Sequence, residues 1–188
     1  EVVDGNWGSS YGWLGIDNVC AGSNFGFERG TYAGWSITYG TGFGTAPNYQ
    51  QTDPTLPWGT RYYGAPGNEG KYYATTRTAG NSTTGILKSK NFVIEKPILS
   101  FRAAGYDGAS GNNNQNLYFL KRASDSSILY YGKPPQKDSF VQISWDVANL
   151  IGTEVYFEVD DGCTDSSSGW IALDDLRQCY NFDFEANT

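Results

Sequence analysis

The chain has 188 residues, of which 39% are hydrophobic and 16% aromatic, and its formal net charge is −7 at pH 7. Aromatic residues this frequent exclude a disordered chain, and the 24 glycines favour short strands and tight turns over long helices. Nucleic acid is excluded as a partner, because the sequence has no cluster of Lys and Arg. A transmembrane helix is excluded, because no apolar run reaches about 18 residues.

The first residues of the chain repeat its last ones. Aligned without gaps, residues 1–31 and 158–188 are identical at 14 of 31 positions, among them Gly12-Trp13 on Gly169-Trp170. A duplication of this kind indicates tandem repeats. The alternative is a single domain that uses two similar hairpins.

The duplication predicts how the chain is divided. We expect residues 1–20 to be the tail of a preceding repeat or an exchanged strand. Residues 21–179 would form one complete repeat, and residues 180–188 would begin the following one. Because strands left without partners are costly, the expected partners are neighbouring repeats or other copies of the chain.

Strand patterns continue through the body of the chain. VQISWDV (141–147) and TEVYFEV (153–159) alternate apolar and polar residues, which is typical of half-buried antiparallel strands. The predicted strands are 24–28, 34–39, 71–77, 85–94, 98–104, 116–122, 128–131, 140–147, 153–159 and 169–176. With turn signals between them, they predict an all-β fold, an antiparallel β-sandwich of jelly-roll type with no substantial helix.

The stretch 45–70 is long and irregular, and a loop of this length in a compact domain is usually functional or tied down. A sugar site needs aromatic faces beside polar groups. The candidate carbohydrate-binding residues, from this loop and a later one, are Trp58, Tyr62, Tyr63, Tyr106 and Asp107. The alternative for each is packing within its loop or against a neighbouring unit.

Asn81-Ser82-Thr83 is a glycosylation sequon, which predicts a glycan on Asn81. The three cysteines leave one unpaired in an extracellular protein. If the first and last strands lie side by side, Cys20 and Cys179 face each other and form a disulfide. A tandem array offers only one such cysteine at each junction, which argues against this pairing.

The motifs NFGFERGTYAGW (24–35) and GWIALDDL (169–176) resemble the two ends of calcium-stabilised β-sandwich carbohydrate-binding modules. The order of the segments between them is similar to levanase-type fructan-binding modules. FDFE (182–185) together with IALDDL is similar to adhesive MAM domains. The resemblance spans most of residues 24–176.

The resemblance implies a structural Ca²⁺ held by Glu28 on the first strand and by Asp174 or Asp175 on the last. Ca²⁺ takes six to eight oxygen ligands, so backbone carbonyls or water would complete the site. The alternative is that these carboxylates are solvated charges at a sheet edge. The first copy of the motif reads Asp17-Asn18, so only one of the two aspartates is repeated.

Catalysis is not expected, because the chain has no His and no phosphate-binding loop. The sequence therefore predicts a non-catalytic structural or adhesive repeat of an extracellular fibre or cell-surface protein, joined to its neighbours through shared or exchanged terminal strands and stabilised by calcium. The alternative is a lectin-like carbohydrate-binding module that recognises a neutral polysaccharide such as a fructan.

Overall fold

The computed structural model describes residues 25–49, 52–53, 61–62, 67–109, 115–165 and 168–180. Within these residues the chain forms two antiparallel β-sheets packed face to face, a β-sandwich of jelly-roll type. The predicted fold class is confirmed.

The strands of the first sheet are β1 (Trp35–Gly40), β6 (Gly85–Ser89), β7 (Phe92–Val93), β9 (Asn116–Arg122), β10 (Ile128–Gly132) and β12 (Glu154–Asp161). Their order is β1-β6-β12-β9-β10, and β7 also pairs with β12. The strands of the second sheet are β2 (Asn48–Tyr49), β5 (Tyr72–Thr75), β8 (Ile98–Asp107), β11 (Lys137–Asp146) and β13 (Gly169–Cys179). Their order is β11-β8-β13-β5-β2. A separate pair joins β3 (Thr52–Asp53) to β4 (Arg61–Tyr62).

The core lies between β12 and β13, the middle strands of the two sheets. Phe157 and Val159 of β12 are fully buried, as are Ile171 and Leu173 of β13, in the alternation that the sequence predicts. Removing each such side chain from water stabilises the fold by roughly 1.5–3 kcal/mol. The hydroxyl of Tyr118 on β9 ties the sheets together, because it donates a 2.6 Å hydrogen bond to the carbonyl of Ala172.

The predicted first strand, 24–28, is not a regular strand where it is described. The Phe25 N–H donates to the Leu176 carbonyl at 3.0 Å, and the rings of Phe25 and Phe27 are buried in the core. The apolar alternation therefore indicates buried side chains at this position, although the backbone of residues 25–28 forms no regular strand.

The helical content of the described residues consists of two short 3₁₀ turns, Arg77–Ala79 and Ala148–Leu150. No helix in this part of the chain is long and apolar enough to cross a bilayer. Residues 1–20 and 181–188 lie outside the described residues, so the division into repeats stays a prediction.

Candidate carbohydrate and cation sites

The outer face of the second sheet carries a small aromatic cluster. Tyr73, Phe140 and Trp170 pack there with two alanines, and Tyr106 lies against them. Beside this cluster is an open pocket of 400 Å³. The residues that line it are Arg77, Asn81, Tyr106, Asp138, Ser168 and Trp170. We call it the Trp170 pocket.

Neighbouring strands place the two rings of the Trp170 pocket side by side. Tyr106 on β8 and Trp170 on β13 are cross-strand partners, and their ring centroids lie 5.9 Å apart. Trp170 is only 3% exposed, whereas Tyr106 is half-buried and reaches the rim. The aromatic surface that a ligand would meet is therefore chiefly that of Tyr106.

An ion pair closes the other side of the pocket. The Arg77 guanidinium lies 4.6 Å from the centroid of the Trp170 ring, and its Nη1 is 3.0 Å from Asp138 Oδ1. The Asp138 side chain is 62% exposed, so this pair contributes little to stability. It does place hydrogen-bond donors and acceptors next to an aromatic ring, which is the combination that recognises a sugar.

A glycine brings the Asn81 turn against β13. A Cβ at Gly169 would lie 2.7 Å from the Asn81 carbonyl oxygen, which is too close for any other residue without a shift of the backbone. In the sequence, the Gly-Trp pair at 169–170, which is repeated at Gly12-Trp13, marked this region. Arg77 and Asp138 are far apart in sequence, and no local pattern links them.

Other predicted sugar-binding residues have different positions. Asp107 is fully buried, and its Oδ1 accepts N–H hydrogen bonds from Gln115 and Asn116 at 2.9 and 3.0 Å. It links the end of β8 to the start of β9 and is not among the residues that line the pocket. Trp58 and Tyr63 lie outside the described residues, and Tyr62 is described only as backbone in β4.

The predicted calcium ligands Glu28 and Asp174 are linked by one short segment. The Glu28 carboxylate accepts N–H hydrogen bonds from Lys71 and Tyr72 at 2.9 and 3.0 Å. Asp174 Oδ2 accepts the Glu69 N–H at 2.7 Å. A Cβ at Gly70 would lie 2.2 Å from the Glu28 carboxyl carbon, so glycine is required for this approach.

Asp174 lies among like charges. Its pKa is raised to about 7, chiefly by burial and to a smaller extent by the negative charges of Glu28 and Glu69, while the Glu69 N–H and Arg102 oppose the shift. A buried carboxylate with two acidic neighbours is the arrangement that a bound cation relieves.

Asp175 stands beside Asp174 in a bulge of β13. Its φ of +54° is in the left-handed region, and its side chain is 6% exposed. Asp175 Oδ2 pairs with Arg177, whereas Oδ1 is buried without a hydrogen-bond partner among the described residues. Glu28, Glu69, Asp174 and Asp175 are called the carboxylate cluster below.

The carboxylate cluster has the oxygens that a hard cation prefers, but protein carboxylates alone do not complete a site. Across the described ranges, no group of three or more His, Cys, Asp or Glu side chains has the spacing of a metal site. Backbone carbonyls and water would have to supply the other ligands of a Ca²⁺ held by Glu28 and Asp174.

Cys179 is disulfide-bonded, and Cys163 is a buried thiol. Cys20 lies outside the described residues, so its pairing with Cys179 stays a prediction.

No protein-family model matches the chain, and no curated protein matches it. Among solved structures it is similar to the K3 cleaved adhesin domain of Lys-gingipain from Porphyromonas gingivalis, with 19% identity over 82% of this chain and 96% of that chain and a TM-score of 0.47. It is also similar to CBM27-1 of Caldicellulosiruptor saccharolyticus in complex with mannohexaose, with 13% identity over 87% of this chain and 97% of that chain and a TM-score of 0.44.

Proposed function

We propose that the chain is a non-catalytic, adhesive β-sandwich unit of an extracellular tandem-repeat protein. The observation that supports this most is where the duplicated residues fall in the described copy. Val159, Asp161, Trp170 and Asp174 are all buried, and they lie on β12 and β13, the middle strands of the two sheets. The matching residues of the first copy are Val2, Asp4, Trp13 and Asp17.

Residues 1–19 therefore carry the anchoring residues of two central strands. In this domain both places are already filled by β12 and β13. No central strand position of this sandwich is left for residues 1–19, so we expect them to form central strands of another sandwich. By the same reasoning Phe182 and Phe184 match Phe25 and Phe27, which are buried in this copy, and belong to the start of a following unit.

A fusion protein tests whether the chain is one unit of a tandem array. We expect that placing residues 24–157 directly before Glu1 yields two folded units, because Glu1 aligns with Glu158 and the new junction restores the repeat register. The calorimetric enthalpy of unfolding should then be about twice that of the parent chain, since this enthalpy scales with the number of folded residues.

The matched control is the same fusion carrying Trp13→Asp. Trp170, its counterpart, is 3% exposed, so a charge at this place should prevent folding of the first unit and return the enthalpy to the parental value. An unmodified fusion that shows only the parental enthalpy would contradict the tandem-repeat proposal.

We further propose that the carboxylate cluster holds a structural Ca²⁺. The raised pKa of Asp174 and the buried Oδ1 of Asp175, which has no hydrogen-bond partner among the described residues, support a cation at this place in addition to Arg102 and Arg177, which already pair with Glu69 and Asp175. Glu28 and Asp174 are the residues that would hold the ion, which would stiffen the junction between the start of the domain and β13.

A second candidate function is recognition of a neutral polysaccharide, and the Trp170 pocket favours it. Replacing Tyr106 with Ala is expected to weaken binding of neutral oligosaccharides about tenfold, because it removes the exposed ring while leaving the Arg77–Asp138 pair. Isothermal titration calorimetry with the ligands found on a glycan array measures this change. Tyr131→Ala, at a 67% exposed ring on the other sheet, is the control. If the glycan array shows no ligand, the function as a purely structural repeat remains.

A further inference from the structure

The glycosylation sequon lies at the Trp170 pocket. Asn81 follows the 3₁₀ turn Arg77–Ala79, and the Thr83 hydroxyl donates to the Ala79 carbonyl at 2.8 Å, which closes the turn. The Asn81 backbone is pressed against Gly169, the residue before Trp170. Asn81 itself lines the pocket together with Trp170 and Tyr106.

We propose that a glycan attached to Asn81 occupies the Trp170 pocket with its first sugar. Because Asn81 belongs to the pocket wall, the sugar bonded to its Nδ2 begins at the rim beside Tyr106 and does not have to fold back from solvent. The pocket volume of 400 Å³ is within the range of small-ligand sites.

The modification needs an external donor, a lipid-linked oligosaccharide diphosphate, and the transferase that uses it. The bond between the anomeric carbon of the first sugar and the diphosphate oxygen breaks, and a bond from that carbon to Asn81 Nδ2 forms. Nδ2 loses one proton, which leaves with the lipid diphosphate. No oxidation or reduction takes place.

The pocket chemistry suits an N-acetylhexosamine. The apolar face of the sugar ring can lie on the half-buried Tyr106 ring, as sugars do on aromatic surfaces. The Arg77 guanidinium and the exposed Asp138 carboxylate, paired at 3.0 Å, offer donors and acceptors to the acetamide and hydroxyl groups.

An attached glycan would compete with external saccharides for the Trp170 pocket. This part of the inference rests on the proposed carbohydrate recognition, because the sugar of Asn81 and an external saccharide would use the same ring and the same ion pair. A glycosylated chain would then be closed to external ligands at this site, and an unmodified chain would be open.

The test compares two forms of the full chain. One is made in a eukaryotic host and trimmed enzymatically to a single N-acetylglucosamine, and the other is made in a host without N-glycosylation. We expect intact mass to show one hexosamine, and NMR to show nuclear Overhauser contacts between its acetamide methyl and the Tyr106 ring. The sugar should raise the Tm by about 2–4 °C. Tyr106→Ala should abolish that rise, and Tyr131→Ala should keep it.

An unmodified Asn81 in the glycosylating host would overturn the proposal, and so would a Tm rise that persists in Tyr106→Ala. Failure of the proposed carbohydrate recognition gives a different result. In that case the unglycosylated chain binds no oligosaccharide, while the contacts between the attached sugar and Tyr106 are still observed.

Discussion

Adding calcium to chelator-treated protein is expected to raise the Tm by about 5–10 °C. An ion that binds only the folded state stabilises it by about 2.7 kcal/mol at a hundredfold excess over its Kd, and a domain of this size gains about 2–4 °C per kcal/mol. The ion would offset the mutual repulsion of Asp174, Glu28 and Glu69 in the folded state. Burial is the main cause of the raised pKa of Asp174, and the charges of Glu28 and Glu69 add to it.

Asp174→Asn tests the same site by substitution. The variant should lose the calcium-dependent rise in Tm, since Asn supplies one neutral ligand oxygen and the ion loses its most buried carboxylate. Differential scanning calorimetry in calcium and in chelator measures the shift for each protein separately, so a change in the baseline stability of the variant does not disturb the comparison.

Asp138→Asn is the matched control, because Asp138 is exposed and pairs with Arg77 in the Trp170 pocket. It should keep the full calcium shift. A parent chain with the same Tm in calcium and in chelator would refute the proposed structural ion. The charges of Glu69 and Asp175 would then be balanced by Arg102 and Arg177, and Glu28 and Asp174 would be held by backbone N–H groups.

The fold was predictable because several of its strands alternate apolar and polar residues. The alternation in 141–147 predicts one inward face, and in the structure Val147 is fully buried while Ile143 and Trp145 pack against the core. The same signal failed as a strand assignment at 24–28, since Phe25 and Phe27 alternate into the core without a regular backbone ladder. The apolar periodicity indicates which side chains are buried, but it does not establish that their backbone pairs with a neighbouring strand.

The candidate sites were less predictable, because they depend on residues far apart in sequence. The resemblance to calcium-stabilised modules pointed to Glu28 and to Asp174 or Asp175. One segment does link Glu28 to Asp174, but nothing in the sequence pointed to Glu69, which lies in that segment. Arg77 and Asp138 meet only through tertiary packing. Asp107 is the last residue of β8 and precedes a polar stretch of sequence, and the sequence cannot distinguish a carboxylate that accepts backbone hydrogen bonds from one that faces a ligand.

Asp161→Asn is expected to stabilise the domain above neutral pH. Asp161, at the end of β12, is 1% exposed, and its Oδ2 has no hydrogen-bond partner in the part of the chain that the structure describes. Burial raises the pKa of Asp161 to about 7 from an ordinary value of 3.8, while hydrogen bonds from Thr76, Cys163 and Asn116 oppose the shift.

The direction of the pH dependence follows from proton linkage. Between about pH 4 and pH 7 the folded state binds more protons at Asp161 than the unfolded state, so the free energy of unfolding falls as the pH rises through this window. Above pH 7 Asp161 is ionised in both states, and its full cost, about 4 kcal/mol for a shift of roughly three units, is present. Asn carries no charge and avoids this cost.

Urea denaturation of the parent and of Asp161→Asn from pH 4 to pH 8, in chelator, measures the difference. Asp174 titrates in both proteins, so subtracting the two curves isolates Asp161. The difference should be near zero at pH 4 and should grow towards pH 8 in favour of the variant. Asp125→Asn is the control, because the side-chain and backbone hydrogen bonds from Ser127 lower the pKa of this exposed carboxylate, so that it is ionised in both states over nearly all of this range and its substitution should add almost no pH dependence. A difference between parent and Asp161→Asn that stays constant with pH would mean that Asp161 is ionised in the folded state throughout this range, with a compensating charge beside it.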